Sequence, residues 1–390
     1  MRSIKLLCYL GDYSELTGAP RRMLILSQAL EKFNIEVILT TVPESVLIKK
    51  AKQLGIETID FPLRSTLTLR NKKLLRGSLF LKIRALMAIV VQNIQFLKVV
   101  KSHKPDAIWI RGSKGIAHTG FGGWISRKPI IWDIDFELES SGVIRVLHRF
   151  GLSCSKAVVL QYHSAGRQIF KHELASRYRD KCFSLIPGIE LSQLQTYKES
   201  QRKNFRKNFL MLQVGTICDR KNQALSVEAF HLLLEKRYGD DCMLWFIGEL
   251  KSDTEIRALV RYYGMEKNVE FLGWRRDIHK LMCEADLLLM PSKDEGVPNV
   301  VQEAMYIGLP VIGSEAGGMA EIISDGKTGW ILPSDRPDLW AERIIWCRQN
   351  PDACFRIAYN ASRFASENFD ETLWGEKYAD IIHDAAGVSE

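Results

Sequence analysis

Short apolar runs alternate along the whole chain with longer segments in which apolar and polar residues mix. Most apolar runs are bounded by Gly, Pro or polar residues, which is typical of strands buried on both faces of a parallel sheet. In the longer segments apolar residues recur every three or four positions, as they do along one face of a helix. The repeated order of strand, loop and helix therefore predicts an α/β protein with doubly wound parallel sheets.

The predicted strands fall into two groups separated by a polar, charged stretch. This stretch, 193–208, indicates a linker, so the pattern predicts two domains, at 1–195 and 205–365. A length of 390 residues is sufficient for two domains of ordinary size. The predicted strands are 4–10, 36–41, 107–111, 129–133, 157–161 and 184–187 in the first domain and 209–214, 243–248, 269–273, 287–290 and 311–313 in the second.

The composition indicates a globular protein of a reducing compartment. The chain is 46% apolar and 26% charged, without low-complexity runs. Its eight cysteines form neither a C-x-x-C pair nor a Cys/His cluster at zinc spacing, which favours free thiols in the cytoplasm. The opening apolar run is too short for a signal peptide. Because polar residues interrupt the most apolar long stretch, 85–100, no membrane-spanning helix is expected.

The net charge of +8 is unevenly distributed, and the stretch 61–105 contains many Lys and Arg residues but no acid. Its bases alternate with Leu, Ile, Phe and Val. Such a segment can lie on an anionic membrane surface. Alternatively, it forms a helix that covers a sheet, with its charged groups in solvent and the aliphatic stems of its bases on apolar surface. The sequence leaves these two alternatives open. Nucleic acid is not an expected partner, because stacking aromatics are few in this stretch.

A segment in the second half, 285–323, combines a buried strand, a loop and a helix start with two acids. Glu295 lies in the loop, and Glu303 follows about two turns into the predicted helix, with Pro298 in the first turn between them. A helix N-terminus presents free N–H groups and positive potential, which suits a phosphate. A carboxylate beside it suits sugar hydroxyls. Alternatively, the pair is two surface acids on an ordinary α/β unit.

The whole block EGVPNVVQEAMYIGLPVIGSEAGGMAEII resembles the donor-binding segment of the family-4 retaining glycosyltransferases, which have the GT-B fold. The resemblance includes the paired glutamates, the following GLPVI strand and the GG..E turn. It extends over about 209–370 and is weak in the first half. It implies two Rossmann-like domains facing across a cleft and a C-terminal helix, 366–386, that crosses back to the first domain.

The loop 215–222 resembles the family's phosphate-binding loop, in which a lysine reaches the donor phosphates. Lys221 matches that lysine, whereas Thr216 replaces the usual arginine and Arg220 is expected to compensate. Gly18 is either a backbone contact to the donor or a plain helix-start glycine, and Trp274 either stacks on the base or packs on a strand. The resemblance implies donor-binding roles for Gly18, Gly215, Thr216, Arg220, Lys221, Gly273, Trp274, Glu295, Gly296, Val297, Pro298, Asn299 and Glu303, and catalytic roles for Lys221, Glu295 and Asp133.

Asp133 is the acceptor-side candidate, since it ends a predicted strand where ligands of α/β sheets bind. Alternatively, it is a helix start or an ordinary loop charge. Many relatives have a histidine near this edge, but here Arg111 and Trp132 stand close to those places and His118 follows the first. This departure leaves the acceptor contacts undecided.

The resemblance implies a retaining enzyme that transfers a hexose-type sugar from a nucleotide-diphosphate sugar to a glycan or lipid-linked acceptor in envelope polysaccharide synthesis. No metal and no cofactor is expected. The D-x-D motif at 133–135, whose carboxylates could bind a metal ion, lies on the acceptor side and not in the donor half. The expected location is cytoplasmic, at the inner face of the membrane if the basic stretch binds there. Two alternatives are a GT-B-fold nucleotide-sugar epimerase and a non-catalytic nucleotide-sugar-binding protein.

Overall fold

The computed structural model describes residues 2–11, 18–67, 78–135, 142–167, 175–200, 208–250 and 254–388. The chain divides into two compact units. Unit 1 contains Met1–Gly188 together with Glu371–Glu390, and unit 2 contains Ile189–Asp370. The divisions therefore lie at 188/189 and 370/371, a few residues from the boundaries expected from the sequence.

Unit 1 is built on a seven-stranded sheet in the order β3-β2-β1-β4-β5-β6-β7. All neighbouring strands are parallel. The sequence order reverses beside β1, as in a doubly wound fold, and this confirms the predicted sheet type. The strands are β1 (Ile4–Gly11), β2 (Ile35–Thr41), β3 (Glu57–Asp60), β4 (Ala107–Arg111), β5 (Ile130–Ile134), β6 (Ala157–Leu160) and β7 (Cys182–Ser184).

The described helices of unit 1 include one from the far end of the chain. This helix, α16, packs on α1 because Gly375 brings the two backbones together; a Cβ at Gly375 would lie 2.7 Å from the Cβ of Ala29. The α-helices are α1 (Ala19–Glu31), α2 (Val46–Gln53), α3 (Leu79–His103), α4 (Gly112–Gly115), α5 (Phe121–Ile125), α6 (Gly142–Cys154), α7 (Ala175–Tyr178) and α16 (Glu371–Ala386); Ile116–Gly120 is a π-helix, and His163–Gly166 and Arg179–Lys181 are 3₁₀ turns.

Unit 2 has a six-stranded parallel sheet in the order β10-β9-β8-β11-β12-β13. Its strands are β8 (Phe209–Val214), β9 (Cys242–Ile247), β10 (Val269–Gly273), β11 (Leu287–Met290), β12 (Val311–Ser314) and β13 (Trp330–Leu332). Its α-helices are α8 (Leu191–Ser200), α9 (Gln223–Glu235), α10 (Thr254–Tyr262), α11 (Ile278–Glu284), α12 (Asn299–Ile307), α13 (Met319–Ile322), α14 (Pro337–Gln349) and α15 (Pro351–Asn368); Asp219–Lys221 is a 3₁₀ turn.

The core of unit 2 explains why its strands are uniformly apolar. Every residue of β11 is buried, because helices cover both faces of a parallel sheet. The order of strands places β8 and β11 side by side at the centre, where the sequence order reverses. Ligands of such sheets bind at the carboxyl edge beside this reversal. The loops after β8 and β11 are therefore the first place to look for a site in unit 2.

Two sequence expectations about elements are wrong, and so is the expectation that no stretch is long enough to span a membrane. The stretch predicted as a linker begins inside α8, whose Leu191 and Leu194 are buried, and α8 belongs to unit 2. The helix that returns to unit 1 starts at Glu371, not at 366. Among the described residues, α3 is long and apolar enough to cross a membrane by length and composition, although polar residues lie in its middle. One third of its most apolar window is buried.

Candidate functional site

The loop after β8 carries two cations at the carboxyl edge of the unit 2 sheet. It runs from Gly215 through the Asp219–Lys221 turn to Asn222, which has a left-handed φ of 55° and precedes α9. Gly215 has a φ of 145°, and a Cβ there would lie 3.1 Å from Cε of Lys221. The glycine therefore lets the Lys221 stem lie against the backbone at the strand end.

Lys221 and Arg220 converge on Glu295, which lies in the loop after β11. The Lys221 Nζ donates to Glu295 Oε2 at 2.5 Å, and Arg220 Nη1 donates to the same oxygen at 3.3 Å. The side chains of Lys221 and Glu295 are 12% and 11% exposed, whereas that of Arg220 is 45% exposed. The cluster thus joins a largely buried ion pair to one cation that still contacts solvent.

Electrostatics in this cluster favour the ionised carboxylate. Burial alone would raise the pKa of Glu295, but the charges and hydrogen bonds of Lys221 and Arg220 outweigh it and leave the pKa below its usual value. Two positive charges then face one negative charge, so the cluster carries a net positive charge near neutral pH. That sign suits an anionic ligand such as a diphosphate.

Further contacts fix the β8 loop to the β11 loop. Asn222 Nδ2 donates to the carbonyls of Pro291 and Ser334 at 3.1 and 2.8 Å. Gln213 Nε2 donates to the Lys221 carbonyl at 2.8 Å, and Lys293 N donates to the Arg220 carbonyl at 2.9 Å. Because these bonds involve the backbone, they set the position of both loops before any ligand arrives.

Gly317 and Gly318 pack against the backbone of the Glu295 loop. Gly317 has a φ of 58°, and a Cβ there would lie 1.5 Å from the carbonyl oxygen of Glu295. The N–H of Gly318 donates to the carbonyl of Gly296 at 2.9 Å. Only glycine fits at position 317, which gives the GG turn a physical reason in this chain.

The helix α12 starts directly after this loop. Pro298 occupies the N-cap position, one residue before the helix, so the expectation that it lies in the first turn is off by one residue. Val297 and Pro298 are buried, and Asn299 begins the helix with its Oδ1 unpaired among the described residues. The first N–H groups of a helix have no partner within it, so this end offers donors to an anion.

Glu303 lies on the buried face of α12 and has a partner that the sequence reasoning missed. His279 Nε2 on α11 lies 3.3 Å from Glu303 Oε2, and the His279 ring packs against Tyr197 with centroids 5.5 Å apart. Glu303 is 5% exposed. Sequence spacing could not predict this pair, because His279 is on α11 and Glu303 is on α12.

Three strand-end glycines bring the backbones of β8, β9 and β10 together. A Cβ at Gly248 would lie 2.2 Å from the carbonyl oxygen of Gly215, and Gly248 N donates to the Gly273 carbonyl at 2.8 Å. The sequence analysis did not include Gly248 among the site residues, although it follows an apolar strand as Gly215 and Gly273 do.

Thr216 is half-buried, and its carbonyl accepts from Gln223 Nε2 at 3.3 Å.

Trp274 follows Gly273 and is 63% exposed, so the expectation that it packs on a neighbouring strand is wrong. The guanidinium of Arg276 lies 5.7 Å from the Trp274 ring centroid. An exposed aromatic ring at the carboxyl edge of β10 can stack on a planar base.

The candidate residues of unit 1 divide into a helix start and a buried network. Gly18 is the N-cap of α1 with a φ of 56°; the loop 12–17 before it lies outside the described residues. Asp133 is 1% exposed, and its carboxylate accepts from Gln161 Nε2 at 3.2 Å and from the Tyr378 hydroxyl of α16. Arg22 donates to the other end of Gln161 at 3.0 Å.

Burial dominates the electrostatics of Asp133. It raises the pKa to about 6, against the lowering effects of Arg111, the Tyr378 hydrogen bond and Gln161. Since both oxygens already have protein partners, this geometry favours a role for Asp133 in holding α16 and the strand ends together. Arg111, which the family resemblance places close to a histidine position, is itself paired with Asp135 at 2.9 Å.

Two buried histidines lie near the carboxyl edge of unit 1. His118 Nδ1 is 2.9 Å from the Tyr9 hydroxyl, and His148 Nε2 is 2.7 Å from Ser113 Oγ. Burial lowers the pKa of each to about 4, with Lys114 adding to the effect at His118. Both rings are therefore neutral near pH 7. The Ser113–His148 pair was not foreseen, because its members are on different elements.

That the protein works without a metal ion stays a prediction. Across the described ranges, no group of three or more His, Cys, Asp or Glu side chains is arranged to hold a metal ion. The eight cysteines are all free thiols.

A cavity of about 280 Å³ in unit 1 is lined by none of the predicted site residues; its lining includes His163, Arg167 and Arg179.

The family match of this chain lies in unit 2. Residues 196–364 match the family described as glycosyl transferases group 1. The lipopolysaccharide glucosyltransferase WaaG of Escherichia coli K12 is 36% identical over 177 residues, which are 44% of this chain and 46% of that protein. The chain spans about half the length of the first curated relatives that it matches.

A longer match and a solved structure extend the likeness beyond unit 2. An Escherichia coli UDP-Gal:alpha-D-GlcNAc-diphosphoundecaprenol alpha-1,3-galactosyltransferase is 24% identical over 274 residues, 65% of this chain and 68% of that protein. The crystal structure of Anabaena Alr3699/HepE in complex with UDP superposes with a TM-score of 0.79 at 17% identity, covering 98% of this chain and 100% of that one. At this identity the superposition shows the fold alone. The predicted two-domain Rossmann-like fold is confirmed.

Proposed function

We propose that the protein is a glycosyltransferase that moves a hexose-type sugar from a nucleoside-diphosphate sugar to a glycan or lipid-linked acceptor in envelope polysaccharide or lipopolysaccharide synthesis. The observation that carries the proposal is the buried Lys221–Glu295 pair, fixed beside the start of α12 at the carboxyl edge of the unit 2 sheet. The family match to the same unit supports it. In this proposal unit 2 binds the donor and unit 1 the acceptor.

The chemistry required of unit 2 is stabilisation of a leaving nucleoside diphosphate. Its developing negative charge is met by Lys221, by Arg220 and by the N–H groups at the start of α12, all held in place before reaction. Glu295 orients Lys221, and we propose that its second oxygen, Oε1, accepts from a donor-sugar hydroxyl. Glu303, oriented by His279, accepts from the ribose hydroxyls.

The finer mechanistic assignments rest on the family resemblance. We propose that the anomeric configuration is retained, by front-face attack within a short-lived ion pair in which the leaving phosphate takes the acceptor proton. No protein nucleophile is needed, and the cations of unit 2 do the work that a metal ion does in other transferases. Retention is checked by the anomeric coupling constant of the product in NMR, and metal independence by full activity in the presence of a chelator.

The unit 1 residues receive different roles in this proposal. Asp133 is a positioning residue that fixes the strand ends, because its carboxylate is occupied by Gln161 and Tyr378. The Gly18 backbone remains a candidate donor contact. The acceptor is a glycan or a lipid-linked glycan, met in the cytoplasm at the inner face of the membrane.

A turnover assay over UDP-, GDP- and ADP-sugars, with and without a lipid-linked acceptor, tests the proposed reaction. The expected result is donor consumption that depends on acceptor. In Lys221→Met, kcat should fall by about 100-fold or more, because a preorganised charge on the leaving group is lost. The exposed Lys236, at the end of α9, provides the matched control Lys236→Met, which should keep full activity.

The other outcomes of this assay favour the alternatives. Conversion of the donor to an epimer without acceptor would make the protein an epimerase. Tight donor binding without any turnover would make it a nucleotide-sugar-binding protein. Equal activity of the Lys221 and Lys236 variants would refute the assignment of Lys221.

A further inference from the structure

Unit 1 exposes an apolar face that none of the donor chemistry uses. On α3, seven large apolar side chains are each 51–75% exposed: Leu79, Phe80, Ile83, Leu86, Met87, Val90 and Ile94. At about 100° per residue they occupy one arc of about 120° on the helix. Single exposed apolar residues are ordinary, but a continuous stripe of this length on a soluble domain indicates a surface that is covered.

A short helix that packs against α3 also exposes aromatic side chains. The helices α3 and α5 are in backbone contact, since a Cβ at Gly122 would lie 2.3 Å from the Asn93 carbonyl oxygen. From α5, Phe121, Trp124 and Ile125 are 51%, 53% and 45% exposed. We call these three residues and the seven of α3 the apolar face.

Every charged residue of α3 is basic. Lys82 and Arg84, both exposed, lie on either edge of the α3 arc, and Lys98 and Lys101 continue along the same side of the helix. The helix has no acid, and Asp106 is the only acid between residues 78 and 132. A surface with an apolar centre, basic borders and a tryptophan matches the boundary of an anionic bilayer, where headgroups lie beside acyl chains.

Two buried polar side chains of α3 decide between lying on a membrane and crossing it. Gln92 Nε2 donates to the Pro62 carbonyl at 3.2 Å, and Asn93 bonds the Ala117 carbonyl at 2.9 Å and the Gly122 N–H at 3.0 Å. These polar contacts fix the middle of the helix to unit 1. A helix held in this way presents one face to a bilayer and cannot be surrounded by lipid.

We propose that the apolar face is a docking surface for an anionic lipid bilayer, with α3 lying parallel to the membrane plane. The inference deepens the proposed location at the inner face of the membrane, and it does not depend on the transfer reaction. A second copy of the chain is a poorer occupant, because a twofold contact would bring the same basic borders against each other.

Vesicle co-sedimentation tests the docking surface. Full-length protein is mixed with phosphatidylcholine vesicles that either contain or lack about one third phosphatidylglycerol. Binding is expected only with the anionic lipid, and it should fall about fivefold for each base neutralised in Lys82→Gln and Arg84→Gln. The double variant Leu86→Glu/Val90→Glu should lower partitioning by at least about tenfold, because it puts charge into the apolar centre.

A control variant and two further readouts make the result specific. Phe355→Glu, at a 61% exposed apolar position in unit 2, should bind vesicles like the parent protein. Brominated lipid should quench a tryptophan signal that is absent in Trp124→Phe. UDP binding should be unchanged in Leu86→Glu/Val90→Glu, so that a failure of the membrane surface is distinguishable from a failure of the donor site.

Three results would overturn the proposal. The first is no binding of the parent protein to anionic vesicles. The second is binding that Leu86→Glu/Val90→Glu does not weaken. The third is self-association of the parent protein, measured by analytical ultracentrifugation, that this double variant abolishes; it would assign the face to a second copy.

Discussion

Replacing Gly317 by alanine should disable the donor site without touching a charged residue. A Cβ at this position would lie 1.5 Å from the Glu295 carbonyl oxygen and 2.6 Å from its carbonyl carbon. An ordinary carbon–oxygen contact is about 3.3 Å or more. The Glu295 loop must therefore move by roughly 2 Å, and a misplacement of about 1 Å in a preorganised site is enough to lower the rate about 100-fold.

Gly326 supplies the matched control for this change. It has a φ of 69°, against 58° at Gly317, but a Cβ there would meet nothing within 4 Å. Both alanine variants therefore lose about 1–2 kcal/mol through the left-handed backbone, whereas only Gly317→Ala displaces Glu295. The assay is a calorimetric titration with UDP, followed by turnover once a donor is known.

The expected result is a loss of UDP affinity and of kcat/KM by at least about 100-fold in Gly317→Ala, with near-parent values in Gly326→Ala. Gly317→Ala should also unfold at a lower temperature than Gly326→Ala, because of the added clash, so binding and turnover are compared at a temperature at which both variants are fully folded. If Gly317→Ala binds UDP as well as Gly326→Ala does, the Glu295 loop is not part of the donor site and the reasoning fails.

Three further changes test other parts of the account. Asp133→Asn should remove a pH dependence of stability: since the folded-state pKa is raised from 3.8 to about 6, the parent protein loses about 2 kcal/mol relative to the variant as the pH rises from 4 to 7, measured by urea unfolding at both pH values. Glu303→Ala should weaken UDP binding about 10- to 100-fold in calorimetry, because charged hydrogen bonds to the ribose are lost; an unchanged affinity would remove Glu303 from the site. Trp274→Ala should weaken UDP binding about tenfold while Trp274→Phe restores most of it, as expected for stacking; equal loss in both variants would argue against a stacked base.

The strands were the most predictable part of the fold, and the physical reason is burial on both faces. The strands β8 and β11 are continuous apolar runs because helices cover the sheet on each side, and this pattern needs no tertiary information. The short helix α8 was missed because it is polar in most positions and contributes few buried side chains, chiefly Leu191 and Leu194. Edge strands such as β3 are partly exposed and carry a weaker signal.

The site was predictable where its residues are close in sequence to strand ends. Lys221 and Glu295 follow β8 and β11, and the loops meet because those strands are neighbours. The partners of Asp133 were not predictable, because Tyr378 arrives from a helix 245 residues further along the chain. For the same reason, sequence spacing did not indicate His279 beside Glu303.

The exposure of Trp274 shows that residue type alone does not predict burial. A tryptophan after an apolar strand is expected to be buried, since large aromatic side chains contribute much of a core. Its 63% exposure places the ring at the sheet edge instead. Exposed aromatic residues of this kind are informative only once the surrounding elements are known.

The most direct test of the central claim is a crystal structure of the protein soaked with the nucleoside diphosphate that the donor screen selects. We expect the diphosphate to lie within hydrogen-bonding distance of Lys221 Nζ and of the N–H groups at the start of α12, with the base against Trp274. That nucleotide bound elsewhere, or the Lys221–Glu295 loops empty when it is saturating, would contradict the claim.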